Sequence, residues 1–312
     1  MFTRFHTECA KAADGSAWSY AYQGLVHRAG SLFEEGWWGA EENAIVDFKY
    51  SASPKLTWWF DHHQSAFMTV EDEETFRRGQ TDGSQAMRQF FDPVYTSCTS
   101  FIAHVAETKF GMDMSPFAEL IHWANIVDGA KYESAKAAVE MAEPAMKLTM
   151  VIESAENDAE GSISRKFIPL MTEMPLQDVL DQPFVQEMLG PLMAKHWAEL
   201  QLIRERAVCE DGVISFDITD KPTEGYNKFI PYYLFPEGTY NVGLSKSSFR
   251  TKVSVGTNPW TTKDPGELAN IAAICERYGG GGHARVGAIS FLVDQEEQAR
   301  AAVKEIVAEL KS

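Results

Sequence analysis

Asp61-His62-His63 sets a carboxylate and two imidazoles in succession directly after the apolar run Leu56 to Phe60. At the end of a strand such a triplet can supply one metal ligand, one partner that fixes a ring tautomer, and one acid for proton transfer. Alone, three residues of these types more often make an ordinary polar loop. Other carboxylates change the balance. Asp47 lies in the preceding β-like run, Ala44 to Phe48, and on an adjacent parallel strand it would sit beside the triplet. Asp14-Gly15 follows a first β-like run, Phe2 to His6, and Asp128-Gly129 closes the apolar pair Ile126-Val127. Singly, Asp14 reads as a helix cap and Asp128 as a turn residue. Together, these four carboxylates with His6, His62 and His63 have the composition of a hard, oxygen-rich site for two Mn²⁺ or Mg²⁺ ions, not of a thiolate zinc site.

A second constellation is Gly279-Gly280-Gly281-Gly282-His283-Ala-Arg285. Successive glycines let backbone N–H groups turn toward an anion without Cβ obstruction, and His283 and Arg285 add donors. Lys246, Arg250 and Lys252 form a basic patch in which Arg250 and Lys252 would share one face of a strand. A phosphate contact and a solvated face are equal readings of that patch. Trp37, Trp38, Trp58 and Trp59 read first as core residues and second as base-stacking platforms. Asn258-Pro-Trp260 reads as a structured turn or as part of a cleft lining.

The elements that must hold these groups follow from periodicity. Short β-like runs at Phe2 to His6, Ala44 to Phe48 and Leu56 to Phe60, with an amphipathic helix from about Gly15 to His27, suggest βαβ units around a mostly parallel sheet. Ligands gather at the carboxyl ends of such strands. From about Ser84 to Leu202 the spacing is mainly helical, and Pro144, Pro169, Pro175, Pro183 and Pro191 should punctuate it into short helices. Beyond Cys209, strands are expected at 213–218, 226–234, 240–244, 252–255 and 286–293. A helix capped by Asp264 should run to about Tyr278, and a final helix from about Gln295 to Leu310. The fold class expected is therefore α/β, with a domain over 1–205 that includes a helical linker and a smaller α/β domain over 206–312.

Composition excludes several functions. Twenty-eight Lys plus Arg against 45 Asp plus Glu give a net charge of −17, so long duplex DNA would be repelled and a phosphate ligand should be small or held locally. The four cysteines lack CxxC spacing, which argues against a disulfide framework or a zinc ribbon and fits a reducing cytoplasm. No stretch has the roughly 18 apolar residues of a membrane span, and no apolar leader segment is apparent.

Taken together, the motifs resemble the DHH phosphoesterase superfamily, in the branch with a DHHA1 C-terminal domain. Asp61-His62-His63 matches the motif that names the family, Ile45-Val-Asp47 the aspartate before it, Asp128-Gly-Ala-Lys-Tyr132 the later aspartate, and Gly279 to His283 the DHHA1 glycine-histidine loop. His6 and Asp14 match the outer positions of the first motif, while residue 12 is Ala where the family's inner aspartate falls, leaving Glu8 or Cys9 to replace it. The resemblance implies two ions, Mn²⁺ by expectation with Mg²⁺ or Co²⁺ as substitutes. One would be held by Asp14, Asp47, His62 and Asp128, the other by His6, Asp47 and the substitute ligand. It further implies that His63 protonates the leaving oxygen, that Asp61 orients a histidine, and that Gly280, Gly281, Gly282, His283, Arg285 and Arg250 bind a terminal phosphate across an interdomain cleft. The implied activity is hydrolysis of short oligonucleotides or of linear or cyclic dinucleotides to mononucleotides. The acidic surface disfavours the long single-strand exonucleases of the family. The alternatives are a nucleotide-binding or regulatory protein with a weakened metal site, and a phosphatase of another small phosphoester. The segment from about Tyr132 to Arg206 is placed where it would shape the cleft or a homodimer contact.

Overall fold

A computed structural model of the 312-residue chain describes residues 1–10, 15–25, 32–154 and 162–311. Packing divides the chain into two compact units, Met1–Lys131 with Glu143–Gln186, and Tyr132–Ala142 with Glu187–Ser312. The chain thus passes from one unit to the other after Lys131, Ala142 and Gln186, where a single boundary near residue 205 is expected from the sequence.

In the first unit, strands β1 (Ala44–Val46), β2 (Trp58–Asp61) and β3 (Gln89–Phe91) form a parallel sheet with β2 in the centre. All four residues of β2 are buried, as expected for a strand covered on both faces. Side chains alternate across it. Trp58 and Phe60 face Phe5, Ile102, Val105 and Ala106, whereas Trp59 faces Ile45, Tyr50 and Leu56. The helices of the unit begin with α1 (Phe2–Cys9), α2 (Val70–Thr81), α3 (Cys98–Phe110) and α4 (Ala118–Asp128). Thr69 and Asp72 make a reciprocal capping box at the start of α2. Ser97 caps α3, which ends on Gly111 in the left-handed conformation.

Helix α1 replaces the strand expected over Phe2 to His6. The reason lies in spacing: Phe2, Phe5 and Cys9, at helical intervals, all pack into one core, and a short apolar run does not by itself distinguish helix from strand. Residues 15–25 are not helical either; the expected helix's last two residues lie outside the described ones. Trp18 instead donates to the Ala10 carbonyl and Tyr20 to the Thr3 carbonyl, so the aromatics of this segment fasten it to α1. Strand β3 falls in a stretch that reads as helical.

Four more helices follow, α5 (Ala135–Glu140), α6 (Pro144–Ser154), α7 (Ser162–Glu173) and α8 (Leu176–Leu180), then the 24-residue α9 (Pro183–Arg206). Pro144 and Pro183 open helices and Pro175 caps one, positions where the missing N–H costs nothing. Pro169 and Pro191 lie inside α7 and α9, which continue through them at the expense of a hydrogen bond each.

The second unit holds a six-stranded sheet in the order β4-β5-β6-β7-β9-β8. Its strands are β4 (Val208–Glu210), β5 (Val213–Asp217), β6 (Tyr240–Lys246), β7 (Thr251–Thr257), β8 (Gly281–His283) and β9 (Val286–Phe291). Only β5 and β6 pair in parallel. One face carries Val213, Val242, Leu244, Val253, Val255 and Ile289 against the last two helices. Residues 226–234 are not a strand. Asn227 accepts from the N–H of Phe229, and Pro231 sits in the first turn of a short helix, α10 (Ile230–Leu234). Nor does Asp264 cap a long helix: a 3₁₀ turn over Pro265–Glu267 ends at Leu268, and Asn270 caps the separate α11 (Ile271–Glu276). The chain closes with α12 (Glu296–Leu310) as expected. No helix among the described residues is long and apolar enough to cross a membrane.

Candidate metal and phosphate centre

Parallel pairing of Val46 with Phe60 brings Asp47 level with Asp61 at the carboxyl ends of β1 and β2. The Asp47 N–H donates to the Phe60 carbonyl at 2.8 Å, and its φ of 60° lies in the left-handed region. Asp tolerates that region better than most residues, and such conformations concentrate at functional sites.

Asp61 is 1% exposed. Its Oδ1 accepts from the backbone N–H of His62 at 2.8 Å, from that of His63 at 3.2 Å, and from His63 Nδ1 at 2.7 Å. Asp61 thus fixes the loop and the His63 ring. His62 points the other way. Its Nδ1 lies 2.9 Å from the Tyr95 carbonyl, which can only accept, so Nδ1 donates there and Nε2 is the nitrogen turned toward the cluster. That Nε2 is buried without a hydrogen-bond partner. It lies 3.2 Å from Asp47 Oδ1 and 3.3 Å from Asp128 Oδ2. Asp128 is delivered by the last residue of α4, which is tied to the start of α3 through Ser97 Oγ and Asn125 Oδ1 at 2.8 Å.

One imidazole nitrogen and two carboxylate oxygens therefore converge on one small volume. A divalent cation among them resolves the repulsion, and the donor set is that of a hard ion. The charge balance agrees. Burial and then the neighbouring Asp128 push the Asp47 carboxyl above its ordinary range, and burial does the same to Asp128 against the opposing pull of His62 and His63. Burial lowers the pKa of half-exposed His63, but the hydrogen bond and charge of Asp61, with Asp47 and Asp128, outweigh it and hold the imidazole above its usual value.

His6 is not brought to this cluster. It is 3% exposed, with Nδ1 3.0 Å from the Tyr20 hydroxyl and Nε2 2.8 Å from Glu42 Oε2, so both ring nitrogens are engaged. Glu8 pairs with Arg4 at 2.6 Å. Asp14 and Ala12 lie outside the described residues. Among the described residues the grouping with metal-ligand spacing is Asp47, His62 and His63, with Asp128 adjoining through His62. Sequence reading missed the Tyr95 carbonyl, since a backbone atom leaves no signal in residue type.

In the second unit, the glycine run leads into the β8–β9 hairpin. A Cβ on Gly280 would come 2.3 Å from the Ala288 carbonyl, and one on Gly282 2.2 Å from that of Val286; both glycines are required by the hairpin itself. Gly281 faces open space, and His283 and Arg285 are exposed. Gly280→Ala should destabilise this unit by about 1–3 kcal/mol through overpacking. Gly281→Ala, facing open space, should change its thermal midpoint little; equal midpoints for the two variants would contradict this division. Arg250 donates to Ser290 Oγ at 3.2 Å and lies over the Phe249 ring, and Lys252 faces Ser290 across the strands. Lys246 is withdrawn from the patch by Glu296 at 2.8 Å. Trp58 and Trp59 are core residues. Trp260 closes a turn held by Asn258 and donates to the Tyr132 carbonyl.

No protein-family model matches the chain, and no curated protein matches its sequence. Among solved structures, the chain is similar to a pGpG-specific phosphodiesterase, PggH of Vibrio cholerae, with a TM-score of 0.63 at 16% identity over 86% of this chain and 84% of that one. An exopolyphosphatase-related protein of Bacteroides fragilis gives 0.41 at 12% identity over 88% and 74%. RecJ of Thermus thermophilus, in complex with Mg²⁺, gives 0.37 at 12% over 67% and 37%.

Proposed function

For a chain with the fold of the DHH phosphoesterases, we propose a divalent-metal-dependent phosphodiesterase that hydrolyses short oligonucleotides or linear or cyclic dinucleotides to mononucleotides. The observation that carries this reading is the unpartnered Nε2 of His62 between Asp47 and Asp128. These three residues would hold the ion, with Mn²⁺ the first choice and Mg²⁺ or Co²⁺ as substitutes. When bound, such an ion supplies Lewis-acid polarisation and an activated water for in-line displacement at phosphorus.

The chain's own residues supply the rest. The Tyr95 carbonyl holds the His62 tautomer, and Asp61 holds His63 by Nδ1. The other ring nitrogen of His63 is then the atom that delivers a proton to the leaving oxygen, a task favoured by the upward shift of its pKa. Arg250, His283, Arg285 and the N–H groups around Gly281 are the phosphate contacts of the second unit in this reading. PggH acts on pGpG, which makes a 5′-phosphorylated dinucleotide the natural first substrate.

The test is release of GMP from 5′-phosphorylated diguanylate by the purified chain, with Mn²⁺ and with chelator. Release only with the metal is expected. The engagement of both His6 nitrogens favours one competing reading, a nucleotide-binding protein short of a metal site. Binding of the dinucleotide without release under any divalent metal would select it.

A further inference from the structure

Two lysines flank the carboxylate and imidazole cluster without belonging to it. Lys131 follows Asp128 by three residues. Its Nζ donates to Thr96 Oγ1 at 3.1 Å, next to the Tyr95 carbonyl that orients His62. The fit is close, since a Cβ on Gly129 would meet Thr96 Cγ2 at 2.5 Å and Lys131 Cε at 3.3 Å. Lys49 follows Asp47 by two residues and donates to the Ser65 carbonyl, two residues beyond His63. That segment is pinned by the Tyr50 N–H on the Ala66 carbonyl at 2.9 Å.

Neither ammonium has a carboxylate within ion-pair distance among the described residues. In a chain with 45 acidic and 28 basic residues, that is a choice of neutral anchors beside three aspartates. An ammonium resting on a neutral oxygen keeps two further donors for an anion. Lys49 follows β1 and rests on the loop after β2, whereas Thr96 follows β3, the strand on the other side of β2 and its Asp-His-His end. The two ammonium groups are therefore held by different loops at the carboxyl ends of the strands.

We propose that Lys49 and Lys131 are substrate-binding residues that hold phosphate oxygens on the two sides of the metal centre, selecting esters that carry at least two phosphate groups. This rests on the phosphodiesterase reading above and adds to it the residues that count phosphates.

The experiment compares full-length Lys49→Gln, Lys131→Gln and the corresponding Lys→Arg variants with Mn²⁺ on two substrates. One is 5′-phosphorylated diguanylate; the other is bis(p-nitrophenyl) phosphate, a diester with a single phosphate. Each Gln variant should raise KM for the dinucleotide roughly ten-fold, the worth of one charge-assisted hydrogen bond, with Arg restoring most of it. For the single-phosphate diester, no more than one of the two should matter. Mn²⁺ titration by calorimetry should be unweakened in all four. Unchanged KM in both Gln variants of a protein that turns over the dinucleotide overturns the lysine assignment alone, as does an equal penalty from both on the two substrates. Absence of turnover by the unaltered protein overturns the phosphodiesterase reading, and this assignment with it.

Discussion

His62→Ala is expected to abolish divalent-metal binding and to lower kcat/KM by roughly 10³-fold or more, the worth of several kcal/mol of charge stabilisation at phosphorus. The ring is held by the Tyr95 carbonyl at one nitrogen and presents the other between two carboxylates, so alanine removes a donor that no neighbour can replace. Asp47→Asn is the more informative partner because it keeps the shape and removes one charge. In chelator, the raised pKa of Asp47 means that the folded protein binds its proton more readily than the unfolded chain does. Its charge therefore costs stability, progressively, as pH rises above the ordinary carboxylate value toward the raised one. The asparagine variant, free of that cost, should melt no lower than the parent in chelator at neutral pH. Addition of Mn²⁺ should raise the parent's midpoint through ligand linkage and leave the variant's unmoved. A normal Mn²⁺ titration in His62→Ala would show that the ligand set is misassigned.

The legibility of this site in the sequence follows a physical line. Asp47 and Asp61 could be paired in advance because period and register on adjacent parallel strands are local properties of Ala44–Val46 and Trp58–Asp61. Asp128 required only that an apolar helical run end where it does. The β6, β7 and β9 strands and the closing helix were equally legible, β6 as a run buried almost throughout and β9 and the helix by one buried face each, with β7 alternating over its first half. What failed depended on partners distant in sequence. Whether Phe2 to His6 would be strand or helix is decided by packing against residues near 58 and 101. The three-residue β3 has too short a pattern to declare itself. The glycine run was legible as a place needing bare backbone, but two of its glycines serve the close approach of β9 and not an anion. His6 is the instructive miss: the residue type suited a ligand, while its neighbours Glu42 and Tyr20, 36 and 14 residues away, assign both nitrogens elsewhere.

That assignment has a large consequence for stability. Glu42 Oε2 accepts from Trp58 Nε1 at 2.6 Å and pairs with His6 Nε2 at 2.8 Å, while Oε1 takes Arg88 at 3.1 Å. Glu42→Ala strands a buried imidazole and a buried indole N–H together, and should destabilise the first unit by about 2–4 kcal/mol. Burial pushes the Glu42 carboxyl up, but the hydrogen bonds of His6 and Trp58, with the Arg88 charge, bring it below its ordinary range. A depressed carboxylate contributes its stability above the unfolded-state value and loses it as pH falls through the folded one. The gap between parent and Glu42→Ala should therefore be full at neutral pH and shrink in acid. Mn²⁺ stoichiometry, measured by calorimetry on the same variant and on His6→Gln, should be that of the parent. If His6 were a metal ligand, His6→Gln would instead lose bound Mn²⁺, and the loss would appear whether or not the midpoint moved. Stability lost with metal retained is the outcome expected of a histidine whose two nitrogens already belong to Glu42 and Tyr20.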